Sequence, residues 1–138
     1  MAATALSPLA ASLAVACGGA LGALGRYQIG RLVEGIAGSG SGFPWPTLTV
    51  NIAGSLAMGV LLGWLARASI APVTADSLRL LLGIGLLGGF TTFSAFSAEM
   101  VTLVHRGFAL QALGYGAASV IAGMAAFLVG LIAVQSAS

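Results

Sequence analysis

The spacing of its charges most constrains what this chain can fold into. Five arginines and three acidic residues, with no lysine, fall at Arg26, Arg31, Glu34, Arg67, Asp76, Arg79, Glu99 and Arg106, and long uncharged stretches separate them. A helix needs about 20 mainly apolar residues to cross the hydrocarbon core of a bilayer. Four stretches meet that need, at about 9–25, 47–66, 80–104 and 108–134. Only 6% of the side chains are charged and 59% are apolar, whereas a water-soluble domain is typically about 25% charged. The expectation is an all-α membrane protein with four transmembrane helices, forming a single domain over 1–138.

The formal net charge of +2 raises the question of nucleic acid. Phosphate binding needs clustered cations, and these arginines lie scattered, so no nucleic-acid partner is expected. At the N-terminus, an apolar run from Leu9 to Cys17 ends in small residues, but no positive side chain precedes it. It reads as the first span and not as a secretory signal. Cys17 is the only cysteine and reads as a small buried side chain inside that span.

Four spans place Arg67 and Arg79 on one side, with both termini, and Arg26, Arg31 and Arg106 on the other. Orientation follows an excess of Lys and Arg on the cytoplasmic side, and this balance specifies orientation weakly. The expectation is dual topology, with pairing to an inverted copy of the same chain. Gly18 and Gly22, Gly59 and Gly63, and Gly85 and Gly89 are each four apart, the spacing that lets helix backbones approach closely in lipid. Gly83, Gly85 and Gly88 spell G-x-G-x-x-G, but inside an apolar span with no βαβ context the match is no dinucleotide fingerprint.

The third span holds GGFTTFSAFSAE at 88–99. Two glycines followed by two threonines are poor helix continuers, so the span is expected to break near Gly88–Thr92. In lipid a broken helix persists only where protein or a watery cavity satisfies the freed backbone. Carbonyls released near Gly88 and Thr91 are hard oxygen donors suited to a small cation; alternatively, the glycines only permit a tight crossing. Phe90, Phe93 and Phe96 recur every three residues among Thr91, Ser94 and Ser97. Ring edges are electropositive and hydroxyls donate hydrogen bonds, an environment for a hydrated anion; the other reading is ordinary apolar packing. Asn51 is an amide within span two, either a donor to an anion or an interhelical hydrogen bond. Arg26 and Glu99 lie nearest to span interiors, and Arg26 could enrich anions at a vestibule by its field or simply snorkel, as could Glu99. Tyr115 and Ser119 share one face of span four. His105 reads as a loop residue, and no nucleophile with its base, carboxylate pair or metal-ligand spacing marks an enzyme.

Three segments carry a resemblance to a known family. GGALGALGRY at 18–27, PTLTVNIAGS at 46–55 and GGFTTFSAFSAE at 88–99 resemble the signature regions of the Fluc/CrcB family of small fluoride ion channels, in the family's order. The resemblance implies an antiparallel homodimer in the cell inner (plasma) membrane that lets cytoplasmic fluoride leave passively, lowering fluoride toxicity. It implies a structural sodium ion at the dimer centre, held by the backbone carbonyls of Gly88 and Thr91. By the same carry-over, Phe93 and Phe96 form the phenylalanine box, Asn51 is the pore amide, Ser94 a pathway hydroxyl, Arg26 the vestibule cation, and Tyr115 and Ser119 part of a span-four polar track. The chain departs from the family's pattern at Ala95, where Thr is common, at Pro46, where Gly is usual, and at Gly123, where a hydroxyl is frequent. The rival reading is a four-span proton-coupled exporter. It requires a titratable carboxylate in the membrane, and Glu99 alone could serve.

Overall fold

A computed structural model describes residues 6–38, 40 and 42–137. The first helix, α1, runs Pro8–Ala37. Its start is chemically marked, because Ser7 Oγ accepts the Ala10 N–H at 3.2 Å and Pro8 occupies the first turn, where a missing N–H costs nothing. It ends at Gly38, which has φ 83° and returns its N–H to the Glu34 carbonyl. This helix is longer than the apolar stretch 9–25 and carries Arg26, Arg31 and Glu34 as helical residues. The second helix, α2, runs Trp45–Arg67 with Pro46 in its first turn, so this departure from the family pattern is well placed to begin a helix.

The third span covers Pro72–His105 and is not one continuous α-helix. It starts as α3 (Pro72–Leu78), widens into a π-helical stretch (Arg79–Leu87), and closes with one short turn, α4 (Gly88–Phe90). Thr91 and Thr92 are extended, and α5 (Phe93–His105) follows. The last helix, α6, runs Ala109–Ser136. A tight connection joins α5 to α6: Gly107, at φ 84°, donates to the Val104 carbonyl and Phe108 donates to that of Leu103, which is the Schellman arrangement that glycine permits. Among the described residues, four helical segments are therefore long and apolar enough to cross a membrane, as the charge spacing predicts.

Packing is set by backbone contact more than by large side chains. The glycines of α1 lie directly on the π-helical stretch: a Cβ on Gly18 or Gly22 would collide with the carbonyls of Leu81 and Leu86. From the other side, Gly85 faces the Val15 carbonyl and Gly89 that of Gly19. Helices α2 and α6 meet in the same way, with Gly59 against the Phe127 carbonyl and Gly130 against that of Leu56. Small residues at such crossings replace the hydrophobic drive that lipid removes. Among the described residues, buried apolar side chains form two modest clusters, one of Leu48, Leu103, Ala112 and Tyr115, the other of Leu61, Leu65 and Leu87, with Val50 buried outside both. Cys17, expected to be buried, is exposed in the monomer because its side of α1 meets no other helix. Arg67 ties α2 to the end of α6, its Nη1 donating to the carbonyls of Val134 (2.8 Å) and Gln135 (2.6 Å).

Candidate ion pathway

The break is narrower than 88–92. Gly88 to Phe90 stay helical, and the backbone leaves the helix only at Thr91 (ψ 160°) and Thr92 (φ −150°, ψ 121°). The cause is a competition for one N–H. In an unbroken helix Thr92 would donate to the Gly88 carbonyl; here its N–H goes to Asn51 Oδ1 at 2.8 Å, and Asn51 Nδ2 donates back to the Thr92 carbonyl at 3.0 Å. Thr92 then caps α5 by accepting the Ala95 N–H on Oγ1 at 3.2 Å. Thr91 Oγ1 donates to the Leu87 carbonyl at 2.9 Å and so finishes the preceding turn. Asn51, left between two readings by the sequence, braces the break.

The two carbonyls singled out for a cation have different surroundings. That of Gly88 has lost its helical donor to Asn51. That of Thr91 accepts from Arg26 Nη1 at 3.5 Å. Arg26 thus sits half-buried beside the break, lining a small cavity with Thr47, Val50, Thr92 and Ala95.

Of the three phenylalanines, two act together. Phe93 and Phe96 have ring centroids 5.6 Å apart, and Phe96 lies 5.2 Å from the Tyr115 ring. Phe90 turns away toward Gly25 and Gly54. Phe93 is 78% exposed, and Ser94 beside it is exposed too, its Oγ 3.3 Å from Thr92 Oγ1. Ser97 spends its hydroxyl on the Phe93 carbonyl at 2.9 Å. A cleft of about 230 Å³ lined by Asn51, Ser55, Thr91, Thr92 and Phe93 opens at this point.

Sequence reasoning undervalued Glu99. Its carboxylate receives both Thr47 Oγ1, at 2.6 Å on Oε1, and the Tyr115 hydroxyl, at 2.7 Å on Oε2. Tyr115 is fully buried and Thr47 nearly so. Two charge-assisted hydrogen bonds of this length are strong and hold the carboxylate in a fixed position. Glu99 also floors a cavity of about 510 Å³ whose walls include Glu34, Pro46 and Arg106. The signal was present: Thr47, Asn51 and Ser55 lie four apart on α2, matching Tyr115 and Ser119 on α6. Among the described residues, Ser119 Oγ is buried without a hydrogen-bond partner, beside a further cavity of about 460 Å³. Of the expected site residues, Asn51, Thr91 and Phe93 line one cleft and Ser119 lines the cavity beside it, the two meeting at Ser55, while Arg26 lines a separate small cavity with Thr47 and Thr92.

Residues 13–131 match the family described as CrcB-like protein, Camphor Resistance (CrcB). A fluoride-specific ion channel FluC from Novosphingobium aromaticivorans is 51% identical over 123 residues, covering 89% of this chain and 94% of that one. Proteins of the same name from Erythrobacter litoralis and Sphingopyxis alaskensis are 50% and 47% identical, covering 92% and 88% of this chain and 93% and 92% of theirs. The class expected from sequence, a channel and not an enzyme, is the class these relatives are named for. With a family match that spans nearly all of its four helices and relatives of this similarity, the chain belongs to the CrcB-like family.

Proposed function

We propose that the chain is a fluoride-selective channel of the cell inner membrane, assembled as an antiparallel pair, through which cytoplasmic fluoride leaves down its electrochemical gradient. The observation that carries this reading is the surface beside the break: Phe93, Ser94 and Thr92 gather ring edges and hydroxyls there, and Phe93 is 78% exposed. Exposed hydroxyls at membrane depth are costly against lipid. A second copy covering this surface would remove that cost and give the cleft its missing wall. The near-balance of arginines across the membrane supports insertion in both orientations.

Fluoride gives up hydration reluctantly, so a conducting site must replace enough of it to admit the ion yet hold the ion weakly enough to release it. Neutral donors meet both demands. Ring edges of Phe93 and Phe96, the Ser94 hydroxyl and the free N–H of Asn51 supply partial positive charge without a fixed cation. Farther along, Thr47 and Tyr115 already grip an anionic oxygen of Glu99, and a small anion competes for the same donors. Arg26 contributes field beside the break. The driving force is the membrane potential, about 2.3 kcal/mol per charge per 100 mV, which expels an anion trapped when hydrogen fluoride ionises in a neutral cytoplasm.

Sodium fits as a structural ion on chemical grounds. The Gly88 and Thr91 carbonyls are hard donors, and the one at Gly88 lacks its helical partner. Two carbonyls from each of two copies would hold the ion at the dimer centre, with Arg26 sharing the Thr91 oxygen.

The test is fluoride release from liposomes that hold the purified protein and a fluoride gradient, read with a fluoride electrode and run beside a chloride gradient. Rapid fluoride release without chloride release is the expected result. No fluoride release from folded, dimeric protein would overturn the reading, and flux that tracked titration of a carboxylate would favour the proton-coupled exporter.

A further inference from the structure

Ser55 is a polar side chain that neither the brace at the break nor the Glu99 cluster uses. It lies on the same face of α2 as Thr47 and Asn51, at the same four-residue interval. It lines both the cleft at Asn51 and Phe93 and the neighbouring cavity at Ser119 and Gly123, so it stands where the two meet. Serine within a helix commonly turns its hydroxyl back to the carbonyl four residues earlier, as Ser97 and Ser77 do here. Ser55 makes no such bond. Among the described residues its hydroxyl has no hydrogen-bond partner, and neither has Ser119 across the cavity.

Opposite Ser55 stands Gly123. A Cβ placed on Gly123 would lie 3.6 Å from Ser55 Oγ and would meet no other heavy atom within 4 Å. Tyr115, Ser119 and Gly123 are spaced four apart on α6, just as Thr47, Asn51 and Ser55 are on α2. The two stripes run in register: Thr47 and Tyr115 meet on Glu99 at one end, and Ser55 meets Gly123 at the other. The α6 stripe therefore loses its hydroxyl at the one position where the α2 stripe brings a free hydroxyl within reach of the same space.

We infer that Ser55 Oγ is a hydrogen-bond donor to the permeating anion, supplying from α2 the hydroxyl that α6 lacks at Gly123 and linking the cleft at Phe93 to Ser119. This rests on the channel reading above. A free hydroxyl facing a 460 Å³ cavity can pass an anion from one donor to the next, and a second unpaired hydroxyl at Ser119 continues the line. Neither donor carries full charge, so the ion can be released again.

The test compares fluoride release from liposomes by the unsubstituted protein, Ser55→Ala, and Ser55→Ala combined with Gly123→Ser. Loss of a hydrogen bond to an anion predicts a fall in flux of about tenfold or more for Ser55→Ala. The added Gly123→Ser hydroxyl is expected to restore most of the rate, because it occupies the space that Ser55 Oγ vacates. If the unsubstituted protein releases no fluoride, the channel reading itself fails. If it does and Ser55→Ala releases fluoride equally fast, Ser55 is not a donor. A fall that Gly123→Ser does not repair would show that Ser55 only supports the fold, and would also overturn the inference. Should Ser55→Ala not assemble, Ser55→Thr against Ser55→Val gives the same comparison, since the pair differ by a hydroxyl at nearly constant shape; equal flux from these two would overturn it.

Discussion

Asn51 holds Thr92 by both of its backbone groups, taking the N–H on Oδ1 at 2.8 Å and giving Nδ2 to the carbonyl at 3.0 Å. The amide of α2 thereby substitutes for the helical partners that the third span gives up. Asn51→Asp keeps the acceptor but sets a carboxylate oxygen against the Thr92 carbonyl, where a donor stood. We expect fluoride flux to be abolished and stability to fall by about 1–3 kcal/mol, the cost of leaving a buried polar group unpaired. Efflux and thermal unfolding in detergent measure the two; full flux in this variant would remove Asn51 from the mechanism.

Tyr115 and Glu99 are joined by a hydrogen bond of 2.7 Å, so their contributions should not add. Tyr115→Phe removes one donor to Glu99 and should lower stability by about 1–2 kcal/mol. In a Glu99→Gln background the same change should cost less, since the charge that strengthens the bond is gone. A double-mutant cycle on unfolding midpoints checks this, and strict additivity would mean that the Tyr115–Glu99 contact contributes nothing.

What the sequence made legible follows from which physics is local. Helix number, the glycine crossings and the neighbourhood of the break could be read because charge spacing, the four-residue glycine interval and the GGFTT run each act over a few residues of one chain. The π-helical stretch at Arg79–Leu87 was not legible, since its leucines and glycines read equally well as an ordinary α-helix, and the close contact of Gly85 with the α1 backbone lies between segments far apart in the chain. The role of Glu99 was missed for a similar reason. Its partners are 52 and 16 residues away, and a carboxylate near a span end looks like a snorkelling one until both hydroxyls are seen on it. The break was placed too broadly, because the N–H that ends the helix is decided by Asn51 on another span.

Glycine substitutions separate backbone contact from mere helix composition. Gly22 sits against the Leu86 carbonyl with no space for a methyl group, while Gly35, on the same helix, has open space where a Cβ would stand, with nothing within 4 Å. Gly22→Ala should destabilise by about 1–3 kcal/mol or more as α1 is forced off the π-helical stretch. Gly35→Ala should be neutral or stabilise by up to about 1 kcal/mol, because alanine gives up less backbone freedom. Equal unfolding temperatures for the two variants would contradict the packing at Gly22.

Phe93 offers the sharpest separation of permeation from folding. Its side chain is 78% exposed in the monomer, so the fold draws little on it, whereas Phe96 packs on the fully buried Tyr115 at 5.2 Å. Replacing either ring with isoleucine keeps an apolar side chain and removes the electropositive edge. Both variants should lose flux by more than about tenfold, which corresponds to about 1.4 kcal/mol at the barrier. They should differ in stability: Phe96→Ile gives up its pairing with both Phe93 and the buried Tyr115 and should lower the unfolding midpoint more, by roughly 0.5–1.5 kcal/mol for each aromatic pair beyond its buried area. Phe93→Ile gives up only the pair with Phe96, and both variants should still run as dimers on size-exclusion chromatography. Fluoride efflux measured beside these two controls decides the matter, since a Phe93→Ile protein that assembles normally and conducts at the full rate would take the ring edge out of the pathway.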